Sequence, residues 1–85
     1  MRRYIVIFPN NSISAGVLQR LRSTNHFELY PNVFFVRGEF ASSHALYDFL
    51  QGTDTSSQRM VVFLVTDDYW GYTNRDFWPW IGVDN

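Results

Sequence analysis

Met60-Val-Val-Phe-Leu-Val-Thr-Asp-Asp-Tyr-Trp-Gly-Tyr-Thr-Asn-Arg-Asp-Phe-Trp-Pro-Trp-Ile81 decides the reading of this chain. Its first six residues are apolar and mostly β-branched or aromatic, the composition of a buried strand. A turn with Gly71 inside it follows, and then a short segment. All three tryptophans of the chain, Trp70, Trp78 and Trp80, fall between the end of the strand and Ile81. The strand therefore closes a series, and what precedes it defines the order.

Upstream lies a polar loop, Thr53 to Gln58, and before it Gly52, a natural helix stop. Ala45, Leu46, Phe49 and Leu50 recur at helical spacing, and Ser42 or Ser43 can cap that helix. Further back, His26–Tyr30 and Val33–Arg37 flank Pro31-Asn32, which reads as a hairpin. Phe27 and Leu29 share one face of its first strand, whereas the second is nearly all apolar, as a central strand is. Gly38 marks a bulge or a strand end. Ile13, Val17, Leu18 and Leu21 make the apolar face of a first helix reaching about Ser23, with Ser12 as the expected cap. Tyr4-Ile-Val-Ile-Phe8, stopped by Pro9-Asn10-Asn11, is the first strand.

The order is β-α-β-β-α-β in one domain spanning residues 1–85. Right-handed crossovers place the first and third strands at the centre of an antiparallel four-stranded sheet with both helices on one face. The expected class is α+β and ferredoxin-like, with an aromatic C-terminal segment in addition. Apolar residues on both sides of the first strand imply that both faces of the sheet are covered. Either Val6 and Phe8 or Ile5 and Ile7 must lie on the face away from the helices.

Eighty-five residues bury a modest core, roughly 60–65% of the unfolded surface. Eight Phe, five Tyr and three Trp compensate, and the number looks too large for one small core, which points to an aromatic contact with a partner. The absence of cysteine excludes disulfides, thiolate metal sites and thiol nucleophiles and fits a cytoplasmic protein. The run Tyr4–Phe8 is too short for a signal core or a membrane span. Net charge is −1, and all seven basic residues are Arg. Near-neutrality argues against non-specific nucleic-acid binding, although Arg2, Arg3, Arg20 and Arg22 are candidates for a local stripe.

The pieces Tyr4–Phe8, Phe27-Glu-Leu-Tyr-Pro-Asn-Val-Phe-Phe-Val36, Ser43–Gln51 and Val61-Val-Phe-Leu-Val-Thr-Asp-Asp-Tyr-Trp-Gly71 together resemble the SinR-like and CRISPR-associated small ferredoxin-like proteins. These include the adaptation-complex subunit often described as a metal-dependent nuclease. The ending Asp76-Phe-Trp-Pro-Trp-Ile81 is similar to the Trp-containing end of SinR-like members. The resemblance implies a homodimer in which two sheets face each other and the C-terminal segment adds to the neighbouring subunit. Nuclease members carry an Asp at the end of the first strand, paired across the dimer on a divalent metal. Here that region reads Phe8-Pro9-Asn10-Asn11, with no carboxylate, and a hard cation is usually held by at least one.

The remaining candidates for chemistry are few. Asp67-Asp68 could be a metal-binding or general-base pair and reads better as a turn. His26 and His44 stand on separate elements. Arg37-Gly38-Glu39-Phe40 resembles part of an RNA-recognition signature, but Arg-Gly closes its strand instead of opening it. Tyr4, Phe8, Phe34 or Phe35 could stack bases, although packing explains them better. No phosphate loop, nucleophile elbow or metalloprotease motif is present. The sharpest cluster is Tyr69, Trp70, Tyr72, Arg75, Phe77, Trp78 and Trp80, either a recognition surface or a cap on the chain's own sheet. The expectation is a non-catalytic homodimeric interaction module using those residues, with no cofactor or metal. A divalent-metal nuclease using Asp67 or Asp68, or a single-strand nucleic-acid binder, is the alternative.

Overall fold

The first strand, β1 (Arg2–Ile7), alternates as a central strand must. Tyr4, Val6 and then Phe8 are fully buried on one face, and Arg3, Ile5 and Ile7 point to the other. The computed structural model describes residues 2–9, 13–53, 58–66, 68, 70, 71, 73 and 75–82. Six further elements follow: α1 (Ala15–Arg22), β2 (Asn25–Tyr30), β3 (Val33–Gly38), α2 (Ser43–Gln51), β4 (Val61–Val65) and α3 (Phe77–Gly82). The sheet order is β2-β3-β1-β4, all antiparallel, so the ferredoxin-like arrangement holds with β1 and β3 in the middle. Among the described residues, no helix is long and apolar enough to cross a membrane.

The first core lies between the sheet and the two long helices. Val17 and Leu21 of α1 and Leu46 and Leu50 of α2, each pair four residues apart, meet Tyr4, Val6, Phe8, Phe34 and Val36. Phe49 does not join the inner face of α2 as the periodicity predicts, because it is partly exposed and rests beside Phe40. Ser14, two residues later than the expected cap, accepts the Val17 N–H and starts α1. The expected cap at Ser12 lies outside the described residues. Ser42 accepts the Ala45 N–H and settles the start of α2. Of the polar loop expected over Thr53–Gln58, the described residues are its two ends. Gln58 there donates its N–H to Gln51 Oε1 and accepts the Ser14 N–H, which ties the entrance of β4 to both helices.

Arginine, not lysine, holds the helix ends. Arg20 Nε donates to Leu50 O at 2.7 Å and Arg20 Nη2 to Gln51 O at 2.9 Å, a planar fork over the negative end of the α2 dipole. Gly52 makes this possible twice over. Its φ of 60° with ψ of −137° is a glycine conformation, and a Cβ there would meet Arg20 Cζ at 2.6 Å. Gly52→Ala should therefore cost about 1–3 kcal/mol through strain alone. A thermal melt followed by circular dichroism checks it, and an unchanged midpoint would contradict this account of the helix end.

The second face of the sheet carries its own core, and the chain's C-terminal segment supplies the cover. That segment is a helix, α3, whose Phe77 and Ile81 are buried against Ile5, Phe27, Leu29, Val33, Phe35 and Val65. Phe77 touches the rings of Phe35, Trp78 and Phe27 at centroid distances of 4.7, 5.2 and 5.6 Å. The aromatic surplus is thus largely absorbed by the chain itself, because a sheet with two covered faces has two cores to fill.

Candidate functional site

The cross-strand pair Arg3 and Arg37 stands on the α3 face and would repel if left alone. Both are turned into clamps instead. Arg3, only 8% exposed, donates Nη1 to Ile81 O at 2.8 Å. Arg37 donates Nη1 to Trp80 O at 3.1 Å and lies over the Trp80 ring at 4.8 Å from its centroid. The last carbonyls of a helix are left over by its own hydrogen bonding, and cations are favoured there. Arg2 donates to Ala41 O, just ahead of the Ser42 cap of α2. Three of the four arginines expected as a surface stripe, Arg2, Arg3 and Arg20, are therefore engaged on backbone carbonyls, and Arg22 is exposed on α1.

Between α3 and the sheet lies an open cavity of about 250 Å³. Its walls are Leu29, Tyr30, Phe35, Val65, Phe77, Trp78 and Ile81, with Trp70, Gly71 and Thr73 at the mouth. A bulge in β2 between Glu28 and Tyr30 helps to build it. Phe27 pairs with Phe35 on this face; Leu29 is the extra residue between the Glu28–Phe34 and Tyr30–Val33 pairs, so Leu29 and Tyr30 both line the cavity. The Tyr30 hydroxyl meets Thr73 Oγ1 at 2.9 Å and closes one side. Trp70 is 97% exposed, an unusual state for an indole.

The predicted aromatic cluster is thus divided. Phe77 is core, and Trp78 and Trp80 are half-buried on α3. Trp70 is free of the core and borders the cavity. Arg75 is exposed before α3, and the guanidinium that stacks on Trp80 is that of Arg37. Tyr69 and Tyr72 lie outside the described residues. Among the walls, Leu29 is legible as one face of its strand and Phe35 as a packing ring, whereas Tyr30 and Val65 carry no signal of a site. The alternation of Phe27 and Leu29 was the available signal, but nothing in the sequence announces the bulge that brings Tyr30 in.

The candidates for chemistry stay apart. His26 Nδ1 sits 2.9 Å from Thr24 O, whereas His44 faces Asp48 one helical turn on at 3.4 Å, with both side chains exposed. Asp68 is exposed, and its N–H donates to Thr66 Oγ1, the local bonding of a turn. Asn10, Asn11 and Asp67 lie outside the described residues. Among the described residues no three His, Cys, Asp or Glu groups gather as metal ligands. Tyr4, Phe8, Phe34 and Phe35 are buried, so none presents a ring face for base stacking. Comparison with protein-family models, with curated proteins and with solved structures returns no match.

Proposed function

We propose that the protein is a non-catalytic, homodimeric interaction module that docks a protein partner at the cavity beside Trp70. The carrying observation is a 97% exposed indole at the mouth of an apolar cleft. Trp is enriched among the few residues that dominate binding energy, usually next to a pocket that an anchor from the partner fills. Size favours an anchor over a cofactor. Cavities for small organic ligands usually run from about 300 Å³ upward, and one of about 150 Å³ already holds a benzene ring. At about 250 Å³ this cleft suits one aromatic or branched side chain. Its described walls carry no carboxylate, imidazole or guanidinium, so they offer apolar contact and two hydroxyls and no general base. The resemblance to SinR-like and CRISPR-associated small proteins, with the first-strand Asp replaced in Phe8-Pro9-Asn10-Asn11, supports the same non-nuclease reading.

A displayed random-peptide library tests this. Selected peptides should share a bulky apolar anchor, and Trp70→Ala should weaken them roughly 30-fold, the effect of losing about 2 kcal/mol at a hot spot. Trp70 is outside both cores, so the variant's thermal midpoint should match the wild type. Peptides that bind the variant equally well would sink the docking site. Magnesium- or manganese-dependent cleavage of RNA or DNA, lost in Asp67→Ala or Asp68→Ala, would replace the reading with the nuclease one.

A further inference from the structure

Four of the six large apolar side chains exposed among the described residues gather at one edge of the sheet. Val61, Phe63 and Leu64 stand on β4, and Phe49 stands on α2, which packs beside β4. Phe63 is 53% exposed on the α3 face and Leu64 is 49% exposed on the helix face, so the edge is apolar above and below. Among the described residues β4 ends the sheet, with β1 on its one paired side. A bare edge is a template for pairing, and proteins usually blunt it with charge, proline or a bulge. Val-Val-Phe-Leu-Val contains no charge and no proline, and its register with β1 runs without a shift. The opposite edge, β2, has exposed Glu28, a bulge and α3 alongside.

We infer that β4 pairs antiparallel with β4 of a second copy of this chain, joining two four-stranded sheets into one of eight strands. This rests on the homodimer reading above and names the surface that makes it. A self-complementary dimer has a two-fold axis. For two antiparallel strands side by side that axis is normal to the sheet and sets one residue against itself. Phe63 is the middle of β4, and placing it on the axis pairs the whole strand. Val61 then meets Val65 of the partner subunit, and Val62 meets Leu64 of the partner subunit. Every pair is apolar, and alternation keeps each pair on one face. The strand ends fit the same direction. Arg59 precedes β4 and Asp68 follows it, both exposed. Antiparallel pairing carries Arg59 of each copy toward Asp68 of the partner subunit, whereas parallel pairing would set arginine against arginine. Because α3 covers much of the second face of its own sheet, the edge is the route for a second copy to extend it.

The chain has no cysteine, so Phe63→Cys puts one thiol per copy at the axis. Opposed residues of antiparallel strands lie about 4.5–5.5 Å apart at Cα, within the roughly 4.4–6.8 Å that a disulfide spans. Mild oxidation should cross-link Phe63→Cys and leave Glu28→Cys, on the other edge, as single chains. In sedimentation equilibrium the wild type should be dimeric. Phe63→Glu, which faces two carboxylates at the axis, should raise the dissociation constant about 100-fold. Circular dichroism reports whether Phe63→Glu folds, and if it does not, the cross-link decides. A wild-type dimer with no cross-link through residue 63 overturns the β4 assignment and leaves the homodimer standing. A monomeric wild type overturns both.

Discussion

Phe77→Ala should lower the unfolding free energy by about 3–5 kcal/mol, the usual cost of emptying a buried phenylalanine site. Small domains have only about 5–15 kcal/mol in total, so the variant should be close to unfolding on its own. The reason is position. Phe77 joins α3 to the sheet through Phe27 and Phe35 and to its own helix through Trp78. A helix of six residues has little stability in isolation, so tertiary contact must hold it. Losing Phe77 would free α3 and open Ile5, Phe35 and Val65 to water. Urea unfolding at fixed protein concentration measures the effect. A loss under about 1 kcal/mol, at the exposed-site end of mutational effects, would mean that α3 does not secure the second face.

Leu46→Ala should cost about 2–5 kcal/mol on the other side of the sheet. Leu46 is fully buried in the core between the sheet and the two long helices. Phe77 belongs to the opposite cluster, and no residue is common to the two buried sets. Distant sites without shared partners usually add within about 0.5 kcal/mol. The two losses should therefore sum, provided that the double variant still folds well enough in a stabilising osmolyte to be measured. Strong coupling would show that the sheet transmits strain and that the two cores are one.

Much of this architecture can be read from alternation. Tyr4, Val6 and Phe8 against Ile5 and Ile7 place apolar groups on both faces of a strand, and two covered faces follow from that. The helix faces are legible for the same reason, since Val17 with Leu21 and Leu46 with Leu50 repeat at one turn. Three features escape such reading. Trp78-Pro79-Trp80 lies in a helix too short for periodicity to reveal, formed because the sheet gives Phe77 and Ile81 a surface. Arg3 and Arg37 look like surface charge, and only the register shows them facing the carbonyls of α3. The bulge at Leu29 arises because Glu28 and Tyr30 pair with the adjacent residues Phe34 and Val33, which no local signal announces. The candidate site inherits these gaps. Trp70 stands out by residue type, but its cavity depends on the bulge and on α3.

The proposed interaction module depends on a second copy that completes its sheet. Sedimentation equilibrium of the unaltered chain tests it most directly. The expected result is a mass twice that of one chain at micromolar concentration. A single-chain mass persisting to the highest soluble concentration would contradict it.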